Sequence, residues 1–126
     1  MERSTNQRRV IRKVLDEAER PLGPQEILEA AQSHLPTLGI ATVYRTLKGF
    51  LEDGTVAPVE LPGESLRYET SGKPHHHHFR CRECNRVFEL EGCEVQTRGL
   101  APPGFKVDAH ELVLYGACKE CRRAAR

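Results

Sequence analysis

The sequence predicts an α+β protein made of two small domains. Three segments with the apolar spacing of amphipathic helices fill the first half of the chain, and strand-like segments dominate the second half. Two Cys-x-x-Cys pairs, Cys81 with Cys84 and Cys118 with Cys121, enclose most of that second half. Because 126 residues divided between two domains cannot bury a large core in either, we expect a metal or a partner subunit to add stability.

The composition indicates a reducing, cytoplasmic setting. The chain has no apolar run long enough to span a bilayer, and its N-terminus lacks the apolar core of a secretion signal. In such a setting five cysteines favour metal ligands over disulfides. The net charge of +1 gives no sign of a nucleic-acid partner, so any such prediction depends on local motifs.

The first half predicts three helices. The first covers about residues 5–20, Pro24 begins the second, Pro36 stops it, and the third runs from Ile40 to the Asp53-Gly54 pair. The polar face of the first helix carries the cations Arg8, Arg9, Arg12 and Lys13. These cations are either a solvated surface or contacts to DNA phosphates.

A β-hairpin is predicted directly after the third helix. Residues 56–61 and 66–69 are strand-like and flank a turn at 62–65. Helix, turn, helix and hairpin in this order are typical of a winged-helix DNA-binding domain, which we place at residues 1–70. The third helix would present four residues to DNA: Thr42, Tyr44, Arg45 and Lys48. A plain helical bundle is the alternative.

Small, turn-prone residues predict a hinge at 71–74, followed by a second domain at 75–126. Its predicted elements are a strand through the histidines to Arg80, strands at 87–90 and 105–115, and a short helix at 93–101. The two cysteine pairs supply four thiolates, the number that closes the tetrahedral shell of a structural zinc. We therefore expect a zinc site to hold this domain together.

Four consecutive histidines occupy residues 75–78. Because side chains alternate along a strand, His75 and His77 would point to one face and His76 and His78 to the other, so one strand can serve two metal sites. Each pair needs further ligands, and the residues alone leave five candidates open: Glu69, Glu89, Cys93, Glu94 and His110. Imidazole and carboxylate ligands suit zinc, iron or manganese.

Three motifs carry a resemblance to a known family that extends over nearly the whole chain. They are Gly39-Ile-Ala-Thr-Val-Tyr-Arg45, the run from His75 to Cys84, and His110-Glu-Leu-Val-Leu-Tyr-Gly-Ala-Cys118 followed by Cys121. With these motifs the chain resembles the ferric uptake regulator (Fur) family of bacterial metal-dependent repressors. The resemblance implies a homodimeric transcriptional repressor that binds a palindromic DNA operator, with a structural zinc at the four cysteines and a sensing metal at the hinge.

The resemblance also implies ligands for two further metal sites. The regulatory site maps to Glu69, His76, His78 and Glu89, and a possible third site maps to His75, His77 and His110. Two positions depart from the family pattern. Arg20 stands where many members have a histidine ligand, and Gln96 stands where an acidic ligand is expected, with Glu94 beside it. These departures favour zinc over iron or manganese as the regulatory metal.

Two other functions fit a zinc-containing chain, namely a zinc-dependent enzyme and a constitutive zinc-stapled scaffold. The His110-Glu111 pair has no second histidine to complete His-Glu-x-x-His, and the deaminase pairing of His-x-Glu with Pro-Cys-x-x-Cys is absent from the sequence. We therefore expect a regulator without catalytic residues. Operator binding measured with and without metal separates the three functions.

Overall fold

The computed structural model describes residues 2–92 and 99–124, and its contacts divide the chain into two compact units, Met1–Lys73 and Pro74–Arg126. The helices are α1 (Glu2–Ala18), α2 (Pro24–Ala31), α3 (Ile40–Glu52) and α4 (Lys119–Ala124). The strands are β1 (Val56–Val59), β2 (Arg67–Thr70), β3 (His77–Cys81), β4 (Val87–Leu90) and β5 (Val113–Gly116). The predicted α+β class is confirmed. No helix in the described part of the chain is long and apolar enough to cross a membrane.

The core of the first unit forms where α1, α2 and α3 meet. Each helix buries residues spaced three or four apart, so one face of each helix is apolar. The central members of this core are Ile11, Leu15, Ile27, Ala31, Val43, Leu47 and Phe50. The opposite face of α3 is polar and exposed, which leaves it available to a partner.

The second helix begins as predicted but ends before Pro36. Pro24 occupies its first turn, and the backbone N–H of Gly23 donates to Glu26 Oε1 over 3.2 Å. The helix ends at Ala31, and the Ser33 hydroxyl donates to the Ala30 carbonyl of its last turn over 2.8 Å. A turn then leads into α3, which matches the predicted helix-turn-helix.

The predicted wing is confirmed as an antiparallel hairpin of β1 and β2, with Val56 opposite Thr70 and Val59 opposite Arg67. Leu22, in the connection between α1 and α2, exchanges backbone hydrogen bonds with Tyr68 at 2.9 and 2.8 Å. Tyr68 also belongs to the buried core. The wing is therefore fixed to the helices at its base.

The second unit contains a three-stranded sheet in the order β4-β3-β5. β3 pairs antiparallel with β4 and parallel with β5. The strand expected at 105–115 was predicted too long, because only Val113–Gly116 pairs with β3, while Phe105 and Val107 are 70% and 42% exposed outside any ladder. Most of the helix predicted at 93–101 lies outside the described residues.

Leu47→Ala should lower the free energy of unfolding of the first unit by about 2–5 kcal/mol, because it empties a site in the core that is 1% exposed. Urea denaturation followed by circular dichroism measures this change. Lys48→Ala, at the exposed neighbouring position, is the control and should shift the free energy by less than about 0.5 kcal/mol. Equal losses in both variants would show that the core has been placed wrongly.

Candidate metal centres

Four cysteine sulfur atoms converge in the second unit. The Sγ atoms of Cys81, Cys84, Cys118 and Cys121 all lie within 4.8 Å of one another. The Sγ atoms of Cys84 and Cys118 are 3.9 Å apart. A tetrahedral zinc with Zn–S bonds of about 2.3 Å separates its sulfur ligands by about 3.8 Å. The four thiols are unoxidised and their spacing fits one zinc ion.

The parallel pairing of β3 and β5 brings the two cysteine pairs together. Cys81 and Gly116 are register partners at the carboxyl ends of these strands, and each strand leads directly into one pair. The Arg82 N–H donates to the Gly116 carbonyl over 2.8 Å and continues this pairing past the strand ends. Asn85, at φ 64°, closes the first cysteine turn in the left-handed region that asparagine tolerates.

Hydrogen bonds prepare Cys81 to bind as a thiolate. Burial raises the pKa of the Cys81 thiol, but the backbone N–H groups of Cys84 and Cys118, 3.5 and 3.3 Å from Sγ, outweigh burial and bring the pKa to about 6. Hydrogen bonding to Cys118 and burial raise the pKa of Cys121 to about 12. Zinc binding at neutral pH must therefore release protons from this cluster.

A second cluster joins His75, His77 and His110. The Nε2 atoms lie 3.2 Å apart for His75 and His77, 3.3 Å for His75 and His110, and 3.1 Å for His77 and His110. Two imidazole ligands of a tetrahedral zinc have nitrogen atoms about 3.3 Å apart, because each Zn–N bond is about 2.0–2.1 Å. The three nitrogens therefore fit one metal ion and leave room for a further ligand.

Burial favours the metal-binding form of one member of this cluster, His77. Burial, followed by the neighbouring His75 and His110, lowers the pKa of His77, which is 5% exposed. A neutral imidazole has a nitrogen lone pair available to a cation. His77 is therefore available as a ligand at neutral pH without first losing a proton.

A third group in the second unit contains His76, His78 and Glu89. The ring centroids of His76 and His78 are 4.8 Å apart, and His76 Nε2 lies 3.7 Å from Glu89 Oε1. The Pro74 carbonyl can only accept, so its 2.8 Å contact requires a proton on His76 Nδ1. In neutral His76 the Nε2 lone pair then faces a carboxylate, an arrangement that a cation between them stabilises.

The remaining predicted regulatory ligand, Glu69, lies on β2 of the first unit and is 6% exposed. Sequence reasoning missed its neighbour Lys73, whose Nζ is 4.0 Å from Glu69 Oε2. No sequence signal pointed to this contact, because Glu69 lies on a strand, where a four-residue spacing does not bring side chains together. Cys93, Glu94 and Gln96 lie outside the described residues.

The predicted DNA-facing residues lie on the polar side of α3, with Tyr44 55% exposed and Arg45 and Lys48 also exposed. Arg45 Nη2 donates to Thr42 Oγ1 over 3.0 Å, which holds the guanidinium along the first turn of the helix. Arg8 is placed differently. Its Nη2 lies 3.7 Å from Asp53 Oδ2, and its guanidinium lies 5.6 Å from the ring centroid of Phe50.

The chain is similar to known metal regulators over most of its length. The model of the Ferric uptake regulator family matches residues 2–115. The ferric uptake regulation protein of Campylobacter jejuni is 35% identical over 122 residues, which cover 93% of this chain and 78% of that protein.

Solved structures are also similar. The Helicobacter pylori ferric uptake regulator Fur, whose structure reveals three functional metal binding sites, has a TM-score of 0.71 and 27% identity, over 93% of this chain and 80% of its own. A zinc-bound manganese uptake regulator has a TM-score of 0.81 and 32% identity, over 89% of this chain and 87% of its own.

Cys81→Ser should abolish tightly bound zinc and unfold the second unit, because the free energy of metal binding contributes directly to folding of such a small domain. Zinc content by mass spectrometry of the native protein, together with dimer mass, measures both effects. Cys93→Ser is the matched control and should retain the zinc and the dimer. A stable, zinc-free dimer of Cys81→Ser would contradict a structural role for the cluster.

Proposed function

The chain belongs to the ferric uptake regulator family, and we propose which of its residues sense the metal and which contact DNA. Members of this family are metal-responsive transcriptional repressors that bind DNA as dimers, and they are not enzymes. The chain is therefore a metal-responsive DNA-binding regulator. We also propose that the protein is located in the cytoplasm, where the chromosome is accessible.

The regulatory metal binds Glu69, His76, His78 and Glu89 in this proposal. The observation that carries it is the approach of His76 Nε2 to the Glu89 carboxylate, with Nδ1 already committed to the Pro74 carbonyl. Glu69 belongs to the first unit and the other three to the second, so the ligands come from both sides of residues 71–74. A metal held by all four would favour one arrangement of the two units.

The four-cysteine centre has a different role in this proposal. All its ligands lie in the second unit, so its occupancy does not depend on how the two units are arranged. We assign it a structural zinc.

The regulatory metal would shift the equilibrium between arrangements of the two units only through its differential affinity for them. Changing the ratio of the two arrangements from about 1:99 to 99:1 requires roughly 5.5 kcal/mol.

Zinc is the proposed regulatory metal, ahead of iron or manganese. Arg20 occupies the position where many family members have an additional histidine ligand, and it is engaged elsewhere, with Nη1 2.9 Å from Glu26 Oε2. The site therefore has a small set of imidazole and carboxylate donors. Zinc accepts such a set at low coordination number.

Apolar residues exposed on the second unit support its role in dimerisation. Leu100, Phe105 and Leu114 are 74%, 70% and 44% exposed, and a partner subunit could cover such side chains. A two-fold dimer presents two α3 helices to related half-sites, which leads to a palindromic operator. Thr42, Tyr44, Arg45 and Lys48 are the proposed contacts on α3, and Arg8 on α1 is a further proposed contact.

Arg45→Ala should weaken operator binding by about 1–3 kcal/mol if the guanidinium reads a base edge, and specificity at one base pair should relax. Fluorescence anisotropy with the operator and with single-base variants measures both effects at a fixed salt concentration. Arg123→Ala removes the same charge from the exposed face of α4 and serves as the control. Unchanged affinity and specificity in Arg45→Ala would mean that α3 is not the recognition helix.

His78→Ala should abolish metal-dependent operator binding while the structural zinc, the fold and the dimer remain. The measurements are zinc content, dimer mass and operator affinity across a metal titration. His34→Ala, an exposed histidine of the first unit, is the control and should retain the full response. If His78→Ala keeps a normal metal response, the switch lies elsewhere, and the cluster of His75, His77 and His110 becomes the sensor.

Operator affinity that does not respond to metal even in the unsubstituted protein would favour the constitutive scaffold instead. In that case operator affinity would be the same in zinc, in manganese and after treatment with a chelator that spares the four-cysteine zinc. Comparing zinc, iron and manganese in the same titration also tests the proposed choice of metal.

A further inference from the structure

Glu69 lies beside a cation that belongs to the chain itself. Lys73 Nζ is 4.0 Å from Glu69 Oε2, and the two side chains are only 27% and 7% exposed. Lys13 and Glu17 have the same four-residue spacing and an N···O distance of 3.9 Å, but their side chains are 63% and 68% exposed. The pair at Glu69 is therefore far less accessible to water than an ordinary surface pair.

The turn after β2 creates this contact. In a continuing strand, residues four positions apart would be separated by about 13 Å at the backbone, beyond the reach of such a short contact. β2 ends at Thr70, the Ser71 N–H donates to the Thr55 carbonyl over 3.0 Å, and Gly72 adopts φ 89°. This left-handed residue turns the chain so that Lys73 lies back over Glu69.

The negative charge of the Glu69 carboxylate explains the position of Lys73 beside it. A carboxylate with so little access to water is stable only if a cation or hydrogen-bond donors compensate it. In the metal-free chain the Lys73 ammonium supplies positive charge at Glu69. A divalent ion bound to the same carboxylate would lie within a few ångströms of that ammonium, and the repulsion between them would drive the lysine away.

We propose that Lys73 is an internal competitor of the regulatory metal for Glu69, and that this competition sets the metal concentration at which the regulator responds. The proposal rests on the assignment of Glu69 as a regulatory ligand. Metal binding must displace the ammonium, so the apparent affinity of the site is lower than its ligands alone would provide. The threshold of the switch is therefore encoded in residues 69–73 as well as in the ligands.

The test is a titration with cobalt(II), used as the spectroscopic probe, of the chain that holds zinc at the four-cysteine centre and no metal at the regulatory site. All proteins carry His110→Ala, so that the cluster of three histidines does not contribute to the signal. Lys73→Met keeps most of the side chain and removes its charge. It should bind cobalt about tenfold more tightly. Exposed salt bridges stabilise by up to about 1 kcal/mol, and we expect a somewhat larger interaction for this partly buried pair. A tenfold change in affinity corresponds to about 1.4 kcal/mol.

Three controls accompany this variant. Lys73→Arg keeps the charge and should bind cobalt within about twofold of the parent. Lys13→Met removes the same charge from the exposed pair with the same spacing and should leave the affinity unchanged. Adding Lys73→Met to Glu69→Gln should give no gain, since the competitor has lost the carboxylate for which it competes.

The outcomes separate this proposal from the function on which it rests. Weaker binding by Glu69→Gln together with unchanged binding by Lys73→Met would overturn the competition and leave the regulatory site intact. A tenfold gain that persists in the Glu69→Gln background would also overturn it, because Lys73 would then act on the histidines. Unchanged binding by Glu69→Gln would instead remove Glu69 from the regulatory site.

Discussion

The parallel pairing of β3 with β5 is the interaction on which the second unit depends. It ends both strands at the same edge, where Cys81 faces Gly116 in register, and so brings two cysteine pairs from distant parts of the sequence within 4.8 Å of each other. Parallel strands usually need a buried, well-covered sheet, and among its described residues this unit buries few apolar side chains besides Val87. Four metal–thiolate bonds can supply the cohesion that such a small core lacks.

The same central strand organises the histidines. His77 and His75 meet His110 on one side, while His76 and His78 meet each other on the other side, with Glu89 beside His76. β3 begins at His77, so alternation along the strand separates His77 from His78, while His75 and His76 precede the strand.

In each of these sites, groups of the protein itself affect the charge of a metal ligand. Backbone N–H groups hold the pKa of Cys81 low, crowding and burial hold the pKa of His77 low, and a lysine lies beside the poorly exposed Glu69. The thiolate of Cys81 and the neutral imidazole of His77 are thus favoured before a metal arrives. The fold thus prepares these ligand side chains for a metal ion before the ion binds.

The sequence by itself determined the helix-turn-helix, the wing and the four cysteines, because apolar period, proline and glycine positions, and Cys-x-x-Cys spacing are local signals. The residues alone left the partner of each histidine pair open, although the family resemblance implied His110 for one pair, and the strand before Tyr115 was predicted too long. Only the tertiary structure showed the approach of His110 to His75 and His77 and the return of Lys73 to Glu69. These contacts depend on strand register and on a turn at positive φ, and neither is encoded in the spacing of residue types along the chain.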